Sequence, residues 1–121
     1  MKPILIVEND KSNRDLFGTL LKMYGYATVE VETAEQALSY IETTRPAAIL
    51  LDILLPGMDG FLFTKIIRNR AQTADIPIIV VTARNTRPED KELIVSGNYE
   101  AYFHKPVSVE SIKSQLHATL G

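Results

Sequence analysis

Short apolar runs alternate with longer amphipathic stretches along the chain. The apolar runs lie at Ile4–Val7, Ala27–Val31, Ala47–Leu51, Ile76–Val81 and Tyr99–Phe103. Four of them are nearly continuous in apolar residues, which is typical of strands covered on both faces of a sheet. The run at 27–31 instead alternates between valine and other, mostly polar residues, which favours a strand at the edge of the sheet. The pattern therefore predicts five strands.

The stretches that follow the runs carry apolar residues at helical spacing. The first helical face includes Leu16 and Leu20, and the fourth is marked by Leu93 and Ile94. Polar and flexible residues indicate where the helices begin or end. They are a capping box at Ser12 to Asp15, Gly25 after the first helix, Thr33 before the second, Gly97 after the fourth and Pro106 before the fifth.

Strands and helices thus alternate strictly, five of each. This alternation predicts an α/β domain spanning residues 1–121, in which a five-stranded parallel sheet is covered by five helices on both faces. Five strands are too few for the eight-stranded α/β barrel. In an open sheet of this kind, ligands bind beyond the carboxyl ends of the strands, so those ends are where functional side chains are expected.

The composition excludes several classes of function. Among 121 residues there is no cysteine, which rules out disulfides, cysteine-bound zinc, iron–sulfur clusters and a thiol nucleophile. A formal net charge of −2 gives no basic excess for binding nucleic acid directly. No apolar run approaches the roughly 18 residues that a membrane span needs. We expect a soluble cytoplasmic protein with neither a nucleic-acid nor a membrane partner.

Polar side chains follow four of the five predicted strands. Glu8, Asn9 and Asp10 follow the first strand, Asp52 follows the third, Thr82 ends the fourth, and His104–Pro106 follow the fifth. Because the carboxyl ends of parallel strands meet at one edge of the sheet, we expect carboxylates, a hydroxyl and an ammonium to converge in one crevice.

These groups together suit the chemistry of an aspartyl phosphate. The Asp52 carboxylate is a candidate nucleophile toward phosphorus. A phosphoryl group adds negative charge beside existing acids, which requires a divalent cation with hard oxygen ligands such as Mg²⁺. The Lys105 ammonium and the Thr82 hydroxyl can bind other phosphoryl oxygens. The strand ends therefore predict a site that accepts a phosphoryl group.

Four motifs at these strand ends closely resemble the receiver domain of two-component response regulators, in particular chemotaxis-type regulators. They are Ile4–Glu8, Asp52–Gly60, Val80–Ala83 and Ala101–Pro106, and the likeness covers essentially the whole chain. Each motif is weak alone, but all four occur in order, each at a strand end. The resemblance implies a flavodoxin-like sheet with strand order 2-1-3-4-5.

The resemblance also implies a role for each residue at the phosphoryl and metal site. Asp52 would be the phosphoacceptor, loaded by a histidine kinase or a phosphotransfer protein, with Mg²⁺ as cofactor. Glu8 would hold the Mg²⁺, commonly through water, together with Asn9, Asp52 and the backbone carbonyl of Leu54. Lys105 would bind a phosphoryl oxygen, and the bond between Lys105 and Pro106 is expected to be cis.

A further implication of the resemblance is a switch rather than an enzyme. Thr82 would bind the phosphoryl group, and Tyr102 would turn inward as Thr82 moves. The surface that changes would be formed by the fourth helix, fifth strand and fifth helix, about Arg87 to Leu120. The partner that reads it would be a downstream protein target, or an output domain if the chain is cut from a longer regulator.

Asn9 departs from the family pattern, which usually has a second acid at this position. A neutral amide oxygen removes one negative charge from the metal site, so we expect weaker Mg²⁺ affinity than with aspartate there. Calorimetric titration of the wild type against Asn9→Asp tests this expectation. The departure also keeps open a second hypothesis, a pseudo-receiver that binds proteins without taking phosphate.

Other functions on this fold fit the sequence less well. A flavin carrier needs a phosphate-binding loop after the first strand, where this chain is acidic. A hydrolase of this fold would need a second acid two residues after the nucleophile, where the chain has Leu54. His104 and His117 lack ligand spacing and are interpreted as structural or surface residues, and Asp59 as the start of a helix.

Overall fold

The computed structural model describes residues 2–82 and 99–121. The strands are β1 (Ile4–Val7), β2 (Thr28–Val31), β3 (Ala48–Leu51), β4 (Ile78–Thr82) and β5 (Ala101–His104). The helices within these ranges are α1 (Lys11–Met23), α2 (Ala34–Thr43), α3 (Gly60–Arg68) and α4 (Val109–Leu120). The fourth predicted helix, around Leu93 and Ile94, and Gly97 lie outside the described residues, so α4 here is the fifth helix of the sequence prediction.

All the strand pairs are parallel, and the sheet has the order β2-β1-β3-β4-β5. The predicted flavodoxin-like α/β fold is therefore confirmed. β2 lies at one edge and is half-buried along its whole length, as its alternating pattern predicted. β5 lies at the other edge, and there the prediction of a strand covered on both faces was wrong. Its first three residues are half-buried and His104 is exposed, because among the described strands β5 pairs only with β4.

Alternate strand residues point to opposite faces, so the sheet separates two apolar cores. On one face, Leu5 and Val7 of β1 pack with α2 and α3. On the other face, Ile4 and Ile6 pack with α1 and α4. Both cores lie directly behind the strand ends, so the residues that follow the strands are carried on a rigid base. None of the helices described is long and apolar enough to cross a membrane.

The helix ends confirm some of the predicted boundaries and correct others. Thr33 caps α2, with its side chain accepting a hydrogen bond from the amide of Gln36, and Gly25 follows α1 with a positive φ of 95°. α1, however, begins before Ser12. Its N-cap is Asp10, whose carboxylate accepts from the Asn13 amide. The last helix is capped by Ser108 and not started by Pro106, which lies in the turn before it.

Candidate phosphoryl-acceptor site

Backbone pairing continues past the ends of β1 and β3 and fixes two acidic residues side by side. The Glu8 amide donates to the carbonyl of Val31 at 3.1 Å, and the Asp52 amide donates to the carbonyl of Val7 at 2.9 Å. Both residues are withdrawn from water, with 3 % of Glu8 and 7 % of Asp52 exposed. Since charged groups are seldom buried, two neighbouring buried carboxylates make this strand edge the candidate functional site.

Lys105 is the partner of both acids. It follows β5 directly, and its Nζ donates to Glu8 Oε1 at 2.5 Å and to Asp52 Oδ2 at 2.9 Å. One ammonium thus lies between two carboxylates that come from different strands. The peptide bond between Lys105 and Pro106 is cis, as the resemblance implied. The expected convergence of Asp52, Glu8 and Lys105 is therefore present in the structure.

The second oxygen of each carboxylate is held by the backbone. The Leu54 amide donates to Asp52 Oδ1 at 2.9 Å, and the Asp10 amide donates to Glu8 Oε2 at 3.1 Å. In both cases the donor lies two residues after the acid, in the turn that leaves the strand. Each carboxylate thus has one oxygen toward a peptide N–H and the other toward Lys105, so both orientations are fixed.

The charges of the site shift the pKa values of its groups. Burial raises the pKa of Glu8, and the nearby charge of Asp52 raises it further, while the hydrogen bond from Lys105 acts in the opposite direction without cancelling the rise. For Lys105, burial lowers the pKa, but the hydrogen bonds to Glu8 and Asp52 outweigh burial and leave its pKa raised. The ammonium is therefore charged at neutral pH, and the ionised form of Glu8 is disfavoured by the fold.

We expect Glu8→Gln to raise the free energy of unfolding at pH 7 in the absence of divalent cations. The folded-state pKa of Glu8 lies above 4.5, so the stability linked to its proton is present below pH 4.5 and lost as pH rises through the folded pKa. Glutamine stays neutral throughout. Urea unfolding at pH 4 and pH 7 measures the effect, with the exposed Glu42→Gln as control. A gain at pH 7 no larger than that at pH 4 would contradict the expectation.

The remaining predicted residues lie on or shortly after β1, β3, β4 and β5. Asn9 is exposed next to Glu8, and Leu54 is 45 % exposed next to Asp52. Thr82 ends β4 with its backbone opposite His104, the residue before Lys105, whereas its side chain lies outside the described part of the structure. Tyr102 is half-buried, and its ring lies 5.0 Å from that of His104, edge-on.

Asp59 caps α3, with its carboxylate accepting from the Leu62 amide at 2.9 Å, in agreement with its interpretation as the start of a helix. One residue near the site was missed by the sequence reasoning. Arg14 lies one helical turn after the cap of α1, and its guanidinium donates to the backbone carbonyls of Glu8 and Asn9. The available signal was its spacing, because a long side chain in the first turn of a helix can reach back to the preceding loop.

The donor set suits a small divalent cation. The carboxylates of Glu8 and Asp52 already flank a positive charge, the Lys105 ammonium. Hard oxygens of this kind are the ligands that Mg²⁺ prefers. Within residues 2–82 and 99–121 no group of three or more His, Cys, Asp or Glu side chains comes together. Further ligands would therefore be neutral oxygens, such as the Asn9 amide and the Leu54 carbonyl.

Comparison with known proteins agrees with this geometry. Residues 4–117 match the family model described as the response regulator receiver domain. The polar-differentiation response regulator DivK of Brucella anthropi is 39 % identical over 119 residues, which covers 95 % of this chain and 96 % of that protein. The DivK protein of Brucella ovis is 38 % identical with the same coverage.

Solved structures show the same likeness. A receiver domain of a sensor histidine kinase from Pseudomonas aeruginosa, with a magnesium ion coordinated in its active-site cleft, is 31 % identical and superposes with a TM-score of 0.88 over 99 % of this chain and 98 % of that one. The chemotaxis response regulator CheY4 of Vibrio cholerae is 28 % identical, with a TM-score of 0.87 over 99 % of both chains. Together with the family match, these findings show that the chain belongs to the receiver domains of two-component response regulators.

Proposed function

We propose that this receiver domain is a phosphorylation-activated switch in which Asp52 accepts a phosphoryl group. The observation that carries the proposal is the pair of contacts from Lys105 to Asp52 and Glu8 at the strand ends. An ammonium that touches the nucleophile can pair with a phosphoryl oxygen once the group arrives. A buried aspartate with a fixed orientation is also a better nucleophile than a solvated one, because less reorganisation precedes attack.

The donor would be a phosphohistidine on a histidine kinase or a phosphotransfer protein, since receiver domains interact with such proteins. A carboxylate oxygen of Asp52 forms a bond to phosphorus while the bond from phosphorus to the histidine nitrogen breaks. The electron pair returns to the imidazole, which takes up a proton from solvent. The Leu54 amide, which donates to Asp52 Oδ1, would keep the carboxylate aligned through this step.

The residues suited to hold Mg²⁺ are Glu8, Asn9, Asp52 and the backbone carbonyl of Leu54. The cation supplies positive charge that offsets the phosphoryl oxygens. Glu8 would bind through one oxygen while the Asp10 amide holds the other. Lys105 would exchange its contact with Asp52 Oδ2 for one with a phosphoryl oxygen, so the same ammonium serves both states of the site.

A switch needs two conformations that the phosphoryl group stabilises unequally. Thr82 ends β4 in register with His104, the residue before Lys105, and Tyr102 lies on β5 three residues before Lys105, which supports their roles as the groups that respond. The surface that would change is formed by β5 and α4 (Val109–Leu120) together with the predicted helix around Leu93 and Ile94, which lies outside the described residues. A downstream protein target or an output domain would read that surface.

A pseudo-receiver remains the second candidate because of Asn9. It would require that Asp52 and Lys105 are retained only for structure. Burial of two carboxylates costs stability, as the raised pKa of Glu8 indicates. A module that only binds proteins would gain nothing from this costly arrangement. The geometry therefore favours the switch.

Incubation with acetyl phosphate and Mg²⁺, followed by intact-mass measurement, tests the proposal. We expect the wild type to gain one phosphoryl unit and Asp52→Asn to gain none. Asp59→Asn is the matched control, because asparagine caps a helix as well as aspartate does and Asp59 lies on the same loop. A wild type that gains no mass, or an Asp52→Asn variant that gains it, would overturn the proposal.

A further inference from the structure

We infer that Arg14 is a positioning residue that sets the affinity of the site for Mg²⁺ by holding the backbone of the loop after β1. Its Nη1 donates to the carbonyl of Glu8 at 2.9 Å and to the carbonyl of Asn9 at 3.2 Å. These two residues are the proposed ligands from that loop. The inference rests on the proposed function, because it concerns the cation of the same site.

The burial of Arg14 makes these contacts significant. Only 11 % of its side chain is exposed, so the guanidinium has exchanged most of its water for protein partners. Among the described residues, its ion-pair partner is Glu32, at 3.4 Å and with 57 % of the side chain exposed. An ion pair with so exposed a partner contributes little. The two loop carbonyls are therefore the main groups that Arg14 stabilises.

The path of the chain explains why Arg14 reaches this loop. The Arg14 amide donates to the carbonyl of Asp10 at 2.9 Å in the first turn of α1, and the carboxylate of Asp10 caps the same turn. The side chain then returns over that turn to the two residues before the cap. The backbone from Glu8 to Asp10 is thus held from the helix side by Arg14, while the Asp10 amide holds the Glu8 carboxylate.

A fixed loop matters more for Mg²⁺ than for a larger cation. Mg²⁺ demands a nearly octahedral shell with short ligand distances, so small displacements of ligand residues weaken its binding. Residues that orient metal ligands typically change metal affinity by 10- to 100-fold when they are replaced. Among the described residues, Arg14 has no hydrogen bond or ion pair with Asp52 or Lys105, so its loss would affect the cation more than the transfer step.

The test compares Arg14→Gln with Arg68→Gln. Arg68 has the same kind of contacts, donating to the carbonyl of Ile76 and pairing with Glu100 at 3.5 Å, with 17 % of its side chain exposed. These partners precede β4 and β5 and so lie at the opposite edge of the sheet. Arg68→Gln therefore controls for the general cost of losing a half-buried arginine.

Mg²⁺ titrations followed by amide NMR shifts give the affinity without any phosphorylation. We expect Arg14→Gln to bind Mg²⁺ about 10-fold more weakly than the wild type, and Arg68→Gln to bind like the wild type. Amide shifts of Arg14→Gln without the cation should differ from the wild type mainly at residues 8–10. At saturating Mg²⁺, the acetyl phosphate reaction of Arg14→Gln should reach the wild-type rate.

Arg14→Lys separates position from charge. Lysine keeps the charge but lacks the planar fork that donates to two carbonyls in fixed geometry, so its Mg²⁺ affinity should lie near that of Arg14→Gln. Full affinity in Arg14→Lys, or equal affinities in Arg14→Gln and Arg68→Gln, would overturn the inference and leave the proposed function intact. A wild type without Mg²⁺ binding or phosphoryl gain would instead overturn the proposed function.

Discussion

Replacing Lys105 with methionine is expected to slow phosphorylation of Asp52 about 100-fold, because removal of one preorganised donor from developing negative charge typically costs that much. The Nζ of Lys105 donates to Asp52, the proposed nucleophile, at 2.9 Å. Methionine fills a similar volume, so packing around β5 and Pro106 is largely kept. The effect should therefore fall on the reaction.

The same substitution should strengthen Mg²⁺ binding. Lys105 occupies Glu8 Oε1 and Asp52 Oδ2, and its charge repels a second cation. Once the ammonium is gone, both carboxylates become available and a divalent cation offsets their mutual repulsion. A slower reaction combined with tighter cation binding is a pair of effects that simple unfolding of the site would not produce.

Rates of mass gain at saturating Mg²⁺ and NMR titrations of the cation measure the two effects. Lys113→Met is the matched control, because Lys113 lies on α4 with its Nζ 4.4 Å from the centre of the Tyr24 ring, away from the acids. It should react like the wild type. If Lys105→Met reacts at the wild-type rate, then Lys105 has no part in the transfer and the site must work differently.

The residues that follow the central strands could be predicted because the buried strands are recognisable as apolar runs in the sequence. Ile4–Val7 and the run before Asp52 are so apolar that both are predicted to be strands covered on both faces, and in a parallel sheet the residues that follow the strands share an edge. The amino-acid pattern is therefore sufficient to predict that Asp52, Glu8 and Lys105 converge. The exposure of β5 was not predictable in the same way, because an apolar run does not reveal whether a strand has one neighbour or two.

The start of α1 and the contacts of Arg14 could not be predicted from the sequence. Residues 11–15 are all polar, so the spacing of apolar residues gives no indication of where the helix begins. Both Ser12 and Asp10 carry a side chain able to cap a helix, so capping does not decide between them. Once Asp10 is the cap, Arg14 falls one turn later and faces the loop. A shift of two residues in the helix start thus decides whether the arginine points toward the loop.

Gly60→Ala is expected to lower the free energy of unfolding by about 2 kcal/mol, within the range usual for overpacked sites. Gly60 begins α3, and its amide donates to the carbonyl of Ile53 at 3.0 Å. A Cβ at this position would lie 2.7 Å from the Cα of Ile53 and 3.1 Å from the carbonyl oxygen of Asp52. Since both neighbours are backbone atoms, the turn after Asp52 would have to move.

Gly18→Ala is the matched control, because it too places a Cβ in a crowded position on a helix. There the nearest atom is Oε1 of Glu30, the far end of a flexible side chain that can rotate away. Alanine also favours the interior of α1 by up to about 1 kcal/mol over glycine. Urea unfolding should therefore show Gly18→Ala close to the wild type and Gly60→Ala clearly destabilised. Equal losses in the two variants would mean that the turn after Asp52 moves as easily as a surface side chain, and that the close packing of α3 does not hold Asp52 in place.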